Sequence, residues 1–491
     1  MQKYILAIDQ GTTSTRAILF SKAGEATLQA QREVRCRYPQ LGFVEQDALE
    51  LWISVIDVIN DVLVQANIDF TMIDAIGITN QRETTIIWDK KTGRPIAPAI
   101  VWQSRQSADI CDRYNDNKEK IHSKTGLLLN PYFSASKIRY ILENTPDAEK
   151  RALNGELLFG TVDSWIIYKL TQGQVHATDK SNASRTMLYN IFEQKWDEEL
   201  LNLFGVDAQM LPKVYPNSYH FGDATFFGGS VPIMGVAGDQ QAALFGQTCF
   251  APGDIKNTYG TGCFMLMNIG EKPILSKHGL LTTIAWEIDG KTIYAFEGSV
   301  FVAGAAVQWL RDEMKLIKDA PDSERSAQMI NDSEGVYFVP AFVGLGTPYW
   351  DDDVRGAFFG LTRATTKYHI VRATLEAIAF QSKDVIEVMR KEAKCPLLNL
   401  RVDGGATANN YLMQFQSDIL NVNIQKPVVL ETTALGVAYL AGLASGFYQG
   451  LSHIEKIHHY AKEFKPLMSK EEVNHRYQGW KKAIKAARIF K

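Results

Sequence analysis

Two stretches of this chain, one at its start and one near its middle, carry the same pattern. Tyr4 to Asp9 reads as an apolar strand, Gln10 to Ser14 as a polar turn and Thr15 to Phe20 as a returning strand. Asp254 to Tyr259, the turn Gly260-Thr261-Gly262-Cys263 and Phe264 to Asn268 repeat that order. The likeness is weak residue by residue. A pattern carried twice nevertheless predicts two related halves, residues 1–248 and 249–491, each opening on a hairpin. The length of 491 residues agrees, because a single hydrophobic core stops growing at roughly 250–300 residues.

Between and after the hairpins, strands and helices alternate. A helix is predicted over Ala48 to Gln65, and buried strands over Ile73 to Thr79, Thr85 to Asp89 and Val231 to Ala237. Leu157 to Lys169 combines Gly160, Thr161 and Asp163 with an apolar helix-like stripe. Ile370 to Arg390 and Asn410 to Leu420 read as helices. Such alternation is the signature of α/β layers. No low-complexity segment or short-period repeat interrupts it.

The hairpin turns carry chemistry. Asp9 to Arg16 gathers a carboxylate, Gly11, the hydroxyls of Thr12, Thr13, Ser14 and Thr15, and an arginine. Glycine lets backbone approach a phosphate, hydroxyls and N–H groups donate to it, and Arg16 offsets its charge. Asp9 suits Mg2+, directly or through water. Taken alone, the segment reads equally as a hydrophilic turn; paired with Tyr259-Gly260-Thr261-Gly262 it points to phosphate binding. Arg401-Val402-Asp403-Gly404-Gly405-Ala406, with Asn409 and Asn410 heading the next helix, presents backbone on which a nucleotide face can lie. A tight strand-to-helix connection is its plainer reading.

Two strand ends stand out as substrate sites. Thr79-Asn80-Gln81-Arg82-Glu83 sets a donor and an acceptor side by side, which suits a polyhydroxylated ligand, against the reading of a surface ion pair. Trp102 and Tyr132 are candidate walls for such a site, or simply core. Gly238-Asp239-Gln240-Gln241 is the catalytic candidate. A carboxylate at a strand end beside glycine can take a proton from a substrate hydroxyl, and phosphoryl transfer otherwise needs positioning and charge stabilisation. Helix capping by Asp239 is the alternative.

Composition excludes other classes. A net charge of -3 implies no nucleic-acid partner. No run approaches the ~18 apolar residues of a membrane span, and Met-Gln-Lys-Tyr leads straight into a strand without the charged and apolar regions of a secretory leader. A cytoplasmic chain is therefore expected. The five cysteines form no CxxC pair and are expected to be reduced and metal-free; the nine histidines form no ligand pattern. There is no GxxxxGK[ST] loop and no HRD or DFG element. Lys481, Lys482, Lys485, Arg488 and Lys491 recur at helical spacing around Trp480, Ile484 and Ile489, and are expected to form a solvated helix face.

From Tyr4 to about Lys482 the order of these motifs resembles the FGGY carbohydrate kinases, in the superfamily of actin, hexokinase and the heat-shock chaperone ATPases. Asn80 to Thr84, Pro131-Tyr132-Phe133-Ser134, Gly238 to Gln241, Asn257 to Phe264, Gly360 to Arg363 with His369 to Glu376, and Asp403 to Asn410 carry the resemblance. It implies an α/β fold of two RNase H-like (actin-like ATPase) domains flanking a catalytic cleft, and transfer of a phosphoryl group from ATP, with Mg2+, to a small polyol. Arg82-Glu83 with Trp102 and Tyr132 resembles the glycerol-acting branch. By matching position, Arg82, Glu83, Tyr132, Asp239 and Gln240 should bind glycerol, with Trp102 and Phe264 along its carbon edge and Asp239 as general base. Thr12, Thr13, Ser14, Arg16, Thr261, Gly304 and Gln308 should meet the ATP phosphates, and Gly405 and Asn409 the adenosine. The resemblance also implies a homodimer or homotetramer. Some relatives carry a longer glycine- and arginine-containing loop for fructose 1,6-bisphosphate where this chain has only Phe226-Phe227-Gly228-Gly229-Ser230, and others a phosphorylated histidine where it has Thr225; neither control is carried over. A pentulose kinase of the same family, and an actin-like or chaperone-like ATPase acting on a protein partner, are the rival readings.

Overall fold

The structure, a computed structural model, describes residues 3–490; Met1 and Gln2 of the leader reading and Lys491 of the basic run lie outside them. The opening hairpin forms from β1 (Tyr4–Gln10) and β2 (Ser14–Phe20), with Asp9 opposite Arg16. β3 (Ala26–Glu33), β4 (Ile73–Asn80), β5 (Ser218–Ala224) and β6 (Val231–Gly238) complete a sheet of order β5-β6-β4-β1-β2-β3. The second hairpin pairs β7 (Ile255–Tyr259) with β8 (Cys263–Gly270). With β9 (Leu281–Ile288), β10 (Lys291–Val300), β11 (Leu400–Asp403), β12 (Ile424–Pro427) and β13 (Tyr460–Phe464) it builds the order β9-β10-β8-β7-β11-β12-β13. Without the antiparallel edge strands β5, β9 and β13, both sheets run third, second, first, fourth, fifth. Three strands are antiparallel and the last two join the first in parallel. This is the RNase H-like order, present twice.

Register decides where the site falls. Gln10 and Gly238 both lie beside Asn80, so the chain leaving β1, β4 and β6 emerges at one sheet edge, bringing Asp9, Arg82 and Asp239 there. Carboxyl ends of parallel strands are where α/β proteins place ligands. In the second sheet Thr258 lies beside Asp403, so the two glycine turns emerge together.

α1 (Ala48–Ala66) is capped by Asp47, which accepts from the Leu49 N–H, and buries Leu51, Val55, Val58 and Val62 with Leu6, Ile8 and Ile78. α2 (Asp239–Gly246) leaves β6 directly. α3 (Gly304–Asp312) follows β10, and α4 (Lys367–Ala393) packs Val385, Ile386 and Met389 against Met265, Phe296 and Val402. α5 (Asn410–Leu420) follows the Asp403 turn. α6 (Thr432–Ser445), from the second half of the chain, lies on β1, β4 and β6 of the first sheet and against α2. Its Ala434, Val437, Ala438 and Ala441 share a core with Ile5, Ala7, Ile18 and Phe20. Glycines make that approach possible: a Cβ on Gly77 would strike the Val437 carbonyl, one on Gly235 the Ala441 nitrogen, and one on Gly436 the Ala242 carbonyl.

Some expectations change. Leu157 to Lys169 is a strand, Leu157–Gly160, then a helix, Val162–Leu170. Ile86–Asp89 pairs with that strand in a small separate sheet. In α7 (Lys470–Ile489) the basic face is not simply solvated. Trp480 and Lys481 both hold Asp384, each at 2.7 Å, and Arg488 lies 3.1 Å from Asp351. The five cysteines are free, and among the described residues no helix is long and apolar enough to cross a membrane.

Candidate active site

Arg82 leaves β4 into a turn in which Glu83 takes a left-handed conformation, φ 61°. Both side chains are buried, so this is no surface ion pair. The Arg82 guanidinium donates to both oxygens of Glu297 at 2.6 and 2.9 Å, to Gln241 at 3.2 Å and to the Tyr132 hydroxyl at 3.4 Å. Its Nε lies 3.2 Å from the Asp239 carboxylate. Glu83 turns mainly to Arg185, at 2.6 Å, and Arg185 reaches Glu297 at 3.1 Å. Asp239 does not cap its helix: Gly238 holds that place, and Asp239 is the first residue of α2, with 30% of its side chain open to the cleft. One of its oxygens accepts from the Gln240 N–H at 2.7 Å.

Trp102, Tyr132 and Phe264 form an aromatic wall, with ring centres 5.6 and 6.4 Å from that of Trp102. The Trp102 indole donates to the Thr12 hydroxyl at 2.9 Å, tying the turn of the first hairpin to this wall. Buried Lys137 holds the Tyr132 and Phe133 carbonyls. The fully buried Lys256 of β7 donates to the Gln240 side chain, to Thr258 at 3.0 Å and to the Phe264 carbonyl at 3.1 Å. The seven residues expected around a polyol are thus joined in one constellation.

Burial sets the electrostatics. It raises the Asp239 pKa above the ordinary carboxylate value, while Arg82 and Lys256 pull it back. Burial works against the Glu297 charge as well, yet Arg185 and Arg82 hold that pKa down to about 2. Lys256 is lowered to about 8 by burial, with Asp403 and Asp239 resisting. Asp9 is raised to about 7 by burial against Arg16, with Asp239 and Glu431 adding repulsion. Among the described residues no group of three or more His, Cys, Asp or Glu is placed to hold a metal. A single carboxylate suits Mg2+, which keeps waters and takes phosphate oxygens as its other ligands.

Thr261, Gly304, Gln308, Gly405 and Asn409 line one cavity of about 410 Å3, with Tyr259, Pro321, Leu375 and Leu412. Gly304 donates its N–H to the Gly260 carbonyl at 3.0 Å, an approach that a Cβ would obstruct. Gly405 has open space where a Cβ would lie. Asn409 caps α5 by accepting from the Leu412 N–H and donates to Ser323 at 3.2 Å. At the turn of the first hairpin, Thr13 is exposed and Ser14 half-buried; Arg16 is engaged by Glu431 at 2.7 Å, across to the second half of the chain.

Residues 4–246 match the N-terminal domain, and residues 255–445 the C-terminal domain, of the FGGY family of carbohydrate kinases. A glycerol kinase of Bacillus licheniformis is 58% identical over 100% of both chains. Another, of Oceanobacillus iheyensis, is 58% identical over 100% of this chain and 99% of its own. Among solved structures, Plasmodium falciparum glycerol kinase with ADP is similar at TM-score 0.95 and 35% identity, over 99% of this chain and 98% of that one. A gluconate kinase of Lactobacillus acidophilus shares the fold, with TM-score 0.86 and 24% identity over 97% and 96%.

Proposed function

The chain belongs to the FGGY family of carbohydrate kinases, and from that membership we propose that it transfers the terminal phosphoryl group of ATP to glycerol, giving sn-glycerol 3-phosphate and ADP. The observation that carries this reading is the meeting of Arg82 and the Asp239 carboxylate beside the Trp102, Tyr132 and Phe264 wall. Arg82 and Glu83 bind polyol hydroxyls, Tyr132 and Gln240 add to them, and the aromatic rings cover the carbon edge. Asp239 takes the proton from the attacking hydroxyl as its oxygen bonds to the phosphorus and the bond to the ADP oxygen breaks.

Thr12, Thr13, Ser14 and Arg16 meet the phosphates from one side, and Thr261, Gly304 and Gln308 from the other. Gly405 and Asn409 receive the adenosine. Asp9 would hold Mg2+, through water or directly, and the ion would there offset charge on the phosphate oxygens. In this reading residues 1–248 contribute the polyol site and residues 249–491 most of the nucleotide site. The enzyme acts in the cytoplasm as a homodimer or homotetramer, a state that light scattering on the purified protein reports.

ADP release from Mg-ATP, measured with and without glycerol while the product is identified, tests the reaction. Glycerol-dependent ADP with an equal yield of glycerol 3-phosphate is expected. A kcat/KM for xylulose or ribulose above that for glycerol by about tenfold, roughly 1.4 kcal/mol, makes the chain a pentulose kinase. Turnover indifferent to any polyol returns it to the ATPases that act on a protein.

A further inference from the structure

Glu297 lies in the middle of β10, in the second half of the chain, and reaches the guanidinium that leaves β4 in the first. Arg82, Glu297, Arg185 and Glu83 follow one another at 2.6, 3.1 and 2.6 Å, and the ring returns to Arg82 at 3.8 Å. None of the four is more than 3% exposed, and their charges sum to zero. A buried ion pair is weak evidence of a gain in stability, because loss of hydration offsets the attraction.

The geometry shows what this ring does. The planar guanidinium fork of Arg82 is fixed bidentately on Glu297, which sets the plane of the whole group. Arg82 then meets Asp239 at Nε, 3.2 Å from the carboxylate. Besides Glu297, the acceptors around the fork are the Gln241 and Tyr132 oxygens and the carboxylates of Glu83 and Asp239; with the Glu297 charge removed, Asp239 is the nearer of the two carboxylates left to draw it. We propose that Glu297, seconded by Arg185, is a positioning residue for the reaction: it holds Arg82 in the orientation that binds the polyol and keeps it from capturing the carboxylate of Asp239. This rests on the reading of Arg82 as a polyol contact and of Asp239 as the base. Arg82 after β4, Lys256 of β7, Glu297 of β10 and Asp9 of β1 are among the charged groups that act on Asp239.

The test is kinetic, on the full chain. Glu297→Gln, which keeps the shape and removes the charge, is expected to raise the glycerol KM by about tenfold or more while the ATP KM stays within about twofold. Because the residue acts through Arg82, Arg82→Ala/Glu297→Gln should be no worse for glycerol than Arg82→Ala alone. Glu297→Asp, which keeps the charge but shortens the reach, should fall between wild type and Glu297→Gln, and it carries the test if Glu297→Gln fails to melt cooperatively or to bind ADP. An unchanged glycerol KM, an equal rise in both KM values, or an effect that adds in full to Arg82→Ala leaves Glu297 a structural residue and overturns the proposal. If Arg82→Ala itself leaves the glycerol KM untouched, the reading of the polyol site falls first, and the proposal with it.

Discussion

At the scale of single residues, the site turns on one half-open carboxylate among buried charges. Asp239→Asn is expected to lower kcat by ~10²-fold or more while glycerol and ADP still bind, as calorimetry would report; a near-normal kcat removes it from the role of base. The base works ionised, so a pKa raised by burial puts loss of activity on the acid side at a higher pH than an ordinary aspartate would give. Lys256 pulls that pKa down, so Lys256→Met should move the acid limb of the kcat profile upward; an unmoved or lowered limb contradicts the placement of Lys256. Asp239, Arg82 and Glu83 were legible because they sit at strand ends, where a polar run follows an apolar one. Glu297, Lys256 and Arg185 were not. Glu297 and Arg185 bind partners far away in sequence, and Lys256 bonds across the second hairpin and to the Gln240 side chain, contacts that only the fold makes. A signal did exist: Glu297 stands in the largely apolar run Tyr294-Ala295-Phe296-Glu297-Gly298 and Lys256 in the strand read from Asp254 to Tyr259, and a buried charge is tolerated only when paired.

At the scale of elements, the two hairpins, the strands ending at Asn80 and Gly238 and the helices α1, α4 and α5 were readable within a few residues, since periodicity and capping are local, whereas strands such as β3, β9, β10, β12 and β13 were not read. The seat of α6 was not. Its run of small and apolar residues is buried almost all round, with Thr432, Ala434 and every residue from Leu435 to Gly442 inside, so no stripe marks the face it presents. Close packing against α2 and the first sheet requires its glycine. Gly436→Ala would ordinarily gain about 1 kcal/mol in a helix interior. Here the added carbon meets the Ala242 carbonyl, and overpacking of that kind costs about 1–3 kcal/mol or more. A lower midpoint in urea is expected; an equal or higher one means that the helices do not approach so closely.

At the scale of the whole molecule, two sheets of one plan were foreseeable from the repeated hairpin, but not that they exchange a helix. The face of the first sheet carrying Ile5, Ala7 and Ile18 is covered by α6. Residues 1–250 expressed alone should therefore expose an apolar surface, bind a hydrophobic dye and melt without cooperativity; a sharp melt of that fragment would show that the first half closes its own core. The same helix sets a schedule on the ribosome. The stretch from α2 to the end of α6 takes on the order of 10–40 s to synthesise at ~5–20 residues per second. For that interval the first sheet is complete in strands and bare on one face. A chaperone that recognises apolar β-surface would meet this chain as a half-made nascent polypeptide, and would have nothing left to hold once Ser445 had emerged.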